Sequence, residues 1–334
     1  MKILVYSSVF YPSVGGIENL NLDLINEFEK AGHQVKVVTE QKQTKPNPFK
    51  NVEIVEYKKV FSQIRLFFWS DIVYMPNITL KIFWLFLFNP FKKFVISHND
   101  FHLMFHKKWM ANLKLFFIKR ANANITVSKS IAEYFQIKAD VIYNCYNDTV
   151  FKLYPGVERN KDFVFVGRLV SSKGGVQLLE AFKQLGGDYN LSYIGDGPEL
   201  NVLKNLSVQY GLENRVSFLG FMHGEELAKK INEFKIMVIC PISVEGFGLV
   251  ALEGLACGCD LIVSESGGLP EAANGFGRQF PMGNTEALKS CMQELIVSDD
   301  LNGNYEEKSK YLNTLTKLEV ANKYLNVFKN VLNK

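Results

Sequence analysis

With 334 residues, 47% of them hydrophobic and 22% charged, the chain excludes a disordered polymer and carries enough apolar mass for about two domains. Its formal net charge of +4 hides an uneven split, because residues 1–157 hold 20 bases against 12 acids and residues 158–334 hold 18 against 22. A sequence pI of about 8.6 and the lack of a recognised nucleic-acid motif argue against a nucleic-acid partner.

The opening run Met1-Lys2-Ile3-Leu4-Val5-Tyr6 meets polar Ser7 and Ser8 too soon for a signal peptide and reads as a first strand. Residues 2–10 lead through a loop with Gly15-Gly16 into a helix where Leu20, Leu24 and Phe28 recur every four residues until Gly32 ends it; residues 35–39 resume as strand. Residues 60–120 hold nine bases, only Asp71 and Asp100 as acids, and 16 of the 44 aromatics, which suits a membrane surface. Within them the longest apolar run, 82–88, falls far short of the roughly 18 to 20 residues that a membrane helix needs. Phe105, Trp109, Leu113 and Phe116 recur at helical spacing with Lys107, Lys108 and Lys114 close by, a pattern that fits a helix lying in a lipid interface and equally a set of core aromatics with a solvated lysine rim.

Near Tyr154-Pro155-Gly156 the opening plan repeats, with a strand at 163–166, a turn over 167–175 and a helix around Leu178, Leu179 and Phe182. Further β runs at 71–74, 94–97, 125–127, 191–194, 236–240 and 260–263 alternate with helical stretches and predict parallel sheets. Val320, Tyr324, Val327, Phe328 and Val331 mark a closing amphipathic helix. The expected domains are 1–157 and 158–315, with residues 316–334 packing back towards the first. The five cysteines are an odd number without a CxxC pair, so neither a disulfide framework nor a zinc ribbon is indicated and a reducing cytoplasm fits.

The densest chemical signal is Pro241-Ile242-Ser243-Val244-Glu245-Gly246-Phe247-Gly248-Leu249-Val250-Ala251-Leu252-Glu253-Gly254. Gly246 and Gly248 let backbone approach a ligand, and a helix starting near Gly248 aims free N–H groups at phosphate or sugar oxygens. Glu245 is expected before that helix and Glu253 roughly 12 Å along it, at 1.5 Å per residue. Arg168 and Lys173 flank the turn after the strand 163–166, a fork and a point charge suited to a diphosphate. Taken singly, the bases read equally well as a solvated turn and Gly15-Gly16 as a tight one. His98, His102 and His106 are spaced by four, which imitates a metal site, but His98 belongs to a strand end, so a structural role is the default for the other two.

In order, the chain shows Gly15-Gly16-Ile17-Glu18, Ser97-His98, Ser128, Gly167-Arg168-Leu169 with Lys173-Gly174, Ile194-Gly195-Asp196-Gly197-Pro198-Glu199, Phe218-Leu219-Gly220, Glu245 to Glu253, and Gly267-Gly268-Leu269-Pro270-Glu271. Together these resemble glycosyltransferase family 4, a retaining family of GT-B fold. The resemblance implies an α/β architecture of two Rossmann-like doubly wound domains facing each other across a cleft. It implies that Arg168 and Lys173 hold the diphosphate of a nucleotide-sugar donor, UDP- or GDP-linked, and that Gly15 and Gly16 help through their backbone. Glu253 would bind the ribose, Glu245 with Gly246, Phe247, Gly248, Leu249 and Val250 the donor sugar, and His98 would border the reacting carbon. The family works without a metal or cofactor, and this chain has no Asp-x-Asp triplet. The acceptor implied is a glycan or polyprenyl-linked sugar in bacterial surface polysaccharide synthesis, met in the cytoplasm at the anionic inner face of the cell membrane. One departure is Tyr143-Asn144-Cys145-Tyr146-Asn147, where the family shows a proline-asparagine-glycine turn. An epimerase of the same fold and an inactive relative serving as a subunit are the alternatives; a dehydrogenase is weakest, since no G-x-G-x-x-G follows either opening strand.

Overall fold

Short apolar runs that are buried on both faces cannot alternate polar and apolar side chains, and here they assemble into two parallel sheets. The computed structural model describes residues 1–12, 15–101, 107–297 and 305–334. The chain folds as two compact units, one of Met1–Cys145 with Leu315–Lys334, the other of Tyr146–Thr314.

In the first unit, β1 (Lys2–Ser7), β2 (Gln34–Thr39), β3 (Glu53–Glu56), β4 (Ile72–Pro76), β5 (Phe94–His98), β6 (Ala123–Thr126) and β7 (Asp140–Val141) lie in the order β3-β2-β1-β4-β5-β6-β7. The strand order reverses between β1 and β4, where Ile3 pairs Ile72. Helices α1 (Gly16–Lys30), α2 (Val60–Trp69), α3 (Lys108–Arg120) and α4 (Lys129–Phe135) and a 3-10 segment, Leu80–Leu87, make the crossovers. Right-handed crossovers put α1, which leads from β1 to β2, on one face of the sheet. They put α2, Leu80–Leu87 and α3, which step the other way from β3 through β4 and β5 to β6, on the opposite face. Ser128 caps α4 by accepting the N–H of Ile131 at 3.2 Å.

The second unit repeats the plan. Strands β8 (Lys161–Val166), β9 (Leu191–Ile194), β10 (Val216–Gly220), β11 (Phe234–Ile239), β12 (Asp260–Ser264) and β13 (Gly277–Phe280) take the order β10-β9-β8-β11-β12-β13. Around them lie α5 (Gly175–Lys183), α6 (Leu200–Gln209), α7 (Gly224–Ile231), α8 (Leu249–Ala256), α9 (Leu269–Ala273), α10 (Thr285–Val297) and α11 (Tyr305–Asn313). Phe163, Phe182, Tyr193 and Leu203 are fully buried at the centre of its core. The reversal here falls between β8 and β11, where Phe163 pairs Ile236.

α12 (Lys317–Leu332) belongs to the first unit. Its Phe328 ring stands 5.7 Å from that of Phe28 on α1 and 5.4 Å from that of Tyr74 on β4. The division at Cys145 falls ahead of the Tyr154-Pro155-Gly156 turn, because that stretch is bonded into the second unit. Tyr154 N donates to Asn232 Oδ1 at 3.0 Å, and Asn232 Nδ2 donates to Lys152 O at 3.0 Å. No residue from 143 to 147 has a positive φ, so the departure from the family's glycine turn leaves no backbone strain. All five cysteines are buried, and none is joined in a disulfide. Among the described residues no helix is long and apolar enough to cross a membrane.

Candidate active site

Open parallel sheets bind ligands beyond the carboxyl ends of their strands, at the point where the strand order reverses. In the second unit that point is flanked by the loops after β8 and β11, which carry most of the expected donor residues.

The loop after β8 is drawn tight against the end of β9. Gly167 N donates to Ile194 O at 3.0 Å, Leu169 N to Asp196 O at 2.9 Å and Glu199 N to Leu169 O at 3.0 Å. A Cβ on Gly195 would lie 1.9 Å from Gly167 O, so only glycine fits there. Leu169 is buried as an anchor while its neighbour Arg168 projects into solvent. A 3-10 turn, Ser171–Lys173, follows, and Gly174 at φ +75° opens α5 against the end of β11.

The loop after β11 closes onto that turn. Ile242 N donates to Ser172 O at 3.0 Å, and Ser243 Oγ to the same carbonyl at 3.3 Å. Lys173 Nζ donates to Glu245 Oε1 in an ion pair 72 residues apart in sequence. The backbone of Glu245 is held on both sides: its N–H donates to Ser266 Oγ at 3.1 Å, and its carbonyl accepts from Gly268 N at 2.9 Å. Phe247 is buried, and Gly248 at φ +100° forms the N-cap of α8. The first N–H groups of α8, on Leu249 and Val250, have no carbonyl one turn back and face outward from the helix end.

Glu253 sits four residues into α8, so its rise along the helix is about 6 Å and the expected 12 Å is corrected. The earlier value counted Gly246 to Gly248 as helical, whereas they form the turn. Burial pushes the Glu253 carboxyl up to about 7.

Of the expected residues in the first unit, Gly15 is the extended N-cap of α1, which begins at Gly16. His98 ends β5 and exposes no surface. Its ring packs 4.6 Å from that of Phe135, and its Nε2–H donates to Asn124 Oδ1 at 3.0 Å. Asn124 Nδ2 meanwhile donates to Ile118 O at 3.0 Å, which turns its oxygen towards His98. Direct contact with a reacting carbon is therefore not open to His98 in this arrangement. His102 and His106 lie outside the described residues, among which no group of three His, Cys, Asp or Glu side chains stands together as a metal site.

Sequence reasoning missed Ser266 and Asn77. Asn77, at φ +69°, follows β4 and ties it to β5 by accepting Asn99 N at 2.9 Å and donating its own N–H to Ser97 O at 2.8 Å. An asparagine directly after a buried apolar strand was the available signal.

Residues 150–311 match the family model for glycosyl transferases group 1. An uncharacterised glycosyltransferase of Methanocaldococcus jannaschii is 34% identical over 205 residues, 58% of this chain and 56% of that protein. An N-acetylgalactosamine-N,N'-diacetylbacillosaminyl-diphospho-undecaprenol 4-alpha-N-acetylgalactosaminyltransferase of Campylobacter jejuni is 28% identical over 160 residues, 46% of this chain and 42% of that protein. The matched part spans about half the length of these curated relatives. Among solved structures, Anabaena HepE in complex with UDP superposes with a TM-score of 0.83 at 19% identity, over 99% of this chain and 100% of that one. The chain thus has the GT-B fold, and residues 150–311 of its second unit are similar to glycosyl transferases group 1.

Proposed function

We propose that this chain is a retaining glycosyltransferase of family 4 that moves a sugar from a UDP- or GDP-linked donor to a glycan or polyprenyl-linked acceptor in bacterial surface polysaccharide synthesis. The observation that carries the proposal is the Lys173–Glu245 pair at the strand-order reversal of the second unit, beside exposed Arg168 and the free N–H groups of α8. HepE, of the same fold, has been solved with UDP and with UDP-glucose, and the Campylobacter relative is named for an undecaprenol-linked acceptor; both favour this reading.

In the reaction, the bond from the anomeric carbon to the diphosphate breaks and its electron pair leaves with the phosphate. The acceptor oxygen bonds to that carbon on the same face, and the acceptor's proton passes to the departing phosphate. Arg168 and Lys173 balance the growing charge, with no metal or cofactor required. Glu245, held by Ser266 and Gly268, orients the donor sugar with Gly246, Phe247, Gly248, Leu249 and Val250. Glu253 accepts from the ribose hydroxyls, and His98 positions the end of β5.

The test is transfer from UDP- and GDP-sugars by wild type, Arg168→Ala and Lys173→Ala in the presence of a chelator. Each substitution is expected to lower kcat by about 10² to 10³, and proton NMR of the first-formed product is expected to show retained anomeric configuration. Rates within threefold of wild type for both variants would remove the bases from the site, and inversion would remove the mechanism.

A further inference from the structure

On the face of the first sheet opposite α1, the chain leaves a row of large apolar side chains in water. Phe61 and Phe68 lie two turns apart on α2 with Arg65 between them, and Trp109, Leu113 and Phe116 share one face of α3. Between these helices Leu87 ends the 3-10 segment and Phe91 follows it. Phe61 and Phe91 are each 89% exposed, Leu87 84% and Trp109 62%. Single exposed aromatics are ordinary, whereas a continuous apolar patch marks an interaction surface.

Continuity here is visible in the rings. From exposed Phe68 the contacts pass to Phe67 at 5.9 Å and on to Phe86 at 5.2 Å. They continue to Phe83 at 5.5 Å, to Phe117 at 3.7 Å and to exposed Phe116 at 5.3 Å. The three crossover elements thus form one aromatic layer whose inner rings are packed and whose outer rings are wet.

The charge around the layer selects its occupant. Lys58, Lys59, Lys107, Lys108, Lys119 and Arg120 are all exposed, and Asp71 and Asp100 are the only acids from 57 to 132. A second copy of the chain docked face to face would oppose these bases to each other, which costs energy. A lipid surface bearing phosphate meets both the bases and the rings. Lys114, expected to join Lys107 and Lys108 at the headgroups, is excluded. It lies on the inward side of α3 with Ile118, and burial lowers its pKa. Phe105 lies outside the described residues.

We propose that the layer formed by α2, Leu80–Leu87 and α3 docks on an anionic bilayer, with Phe61, Leu87, Phe91 and Trp109 entering the interface and the exposed lysines meeting the headgroup phosphates. This goes beyond the glycosyl-transfer reading and stands without it, since adsorption requires no donor sugar.

The test is co-sedimentation with vesicles of phosphatidylcholine alone and of phosphatidylcholine mixed with phosphatidylglycerol. Screening shortens from about 10 Å at 0.1 M salt to about 3 Å at 1 M, so the mixed vesicles are expected to bind the chain at the lower salt and to release much of it at the higher. Phe91→Ser with Trp109→Ser should weaken partitioning at least roughly tenfold at both salts. Lys108→Glu with Lys119→Glu should abolish the preference for anionic vesicles. If the double serine variant does not fold, judged by circular dichroism, Phe61→Ser alone replaces it. Wild type remaining in the supernatant at low salt, or variants that bind as wild type does, would overturn the proposal. So would a lipid-free dimer that the serine substitutions dissociate, because the face would then belong to a second copy.

Discussion

At the scale of single residues, the behaviour of Glu253 follows from its place on α8. Its carboxyl, pushed up to about 7 by burial, keeps a proton over the range from its ordinary 4.5 to 7 that the unfolded chain has already lost. Stability therefore falls as pH rises through that window, the opposite of a salt-bridged carboxylate. Glu253→Gln, which carries no charge, is expected to gain on the order of 2 kcal/mol relative to wild type between pH 5 and pH 8, read from urea unfolding. If Glu253 grips the ribose, wild-type donor affinity should rise from pH 6 to pH 8 while the glutamine variant stays flat; parallel profiles would take Glu253 out of the donor site. That Arg168, Lys173 and Glu245 would fall in the turns after two strands and Glu253 on the helix that follows was legible in the sequence, because each holds a fixed offset from a glycine turn. Ser266 was not, because its bond to Glu245 spans 21 residues and depends on how β11 and β12 end side by side. Nor was the burial of His98, since a strand's apolar pattern does not say which neighbour will cover its last side chain.

At the scale of elements, strand and helix types were readable from periodicity, while close approaches were not. Gly174 shows why: its left-handed φ is common after a turn, but a Cβ there would lie 1.9 Å from Cys240 O, a carbonyl 66 residues away in sequence. Gly32 has a nearly identical φ of +79° with nothing within 4 Å of its missing Cβ. Gly32→Ala should therefore cost only the backbone term of about 1 kcal/mol. Gly174→Ala should cost at least about 3 kcal/mol, because α5 or the end of β11 must move. Chemical unfolding of the two variants side by side isolates the approach between these elements; equal losses would show that conformation alone accounts for both.

At the scale of the whole molecule, the doubly wound plan was evident twice in the sequence, but the division of the chain was misplaced by some ten residues, because Tyr154-Pro155-Gly156 resembles a linker and its hydrogen bonds to Asn232 are invisible in sequence. The first unit is also discontinuous, since α12 completes it with Tyr324 and Phe328 against Tyr74 and Phe28. A chain ending at residue 314 is expected to lose cooperative unfolding of the first unit and to expose these rings to a hydrophobic dye, while the second unit keeps its own transition. An unchanged first transition would show that α12 is dispensable. Order of synthesis follows from the same feature. A ribosome adding about 5 to 20 residues per second completes everything the second unit needs before it makes α12. The unit whose strands emerge first is thus the last that can finish folding, and for roughly 10 to 40 s its uncovered aromatic face is a natural client for a chaperone.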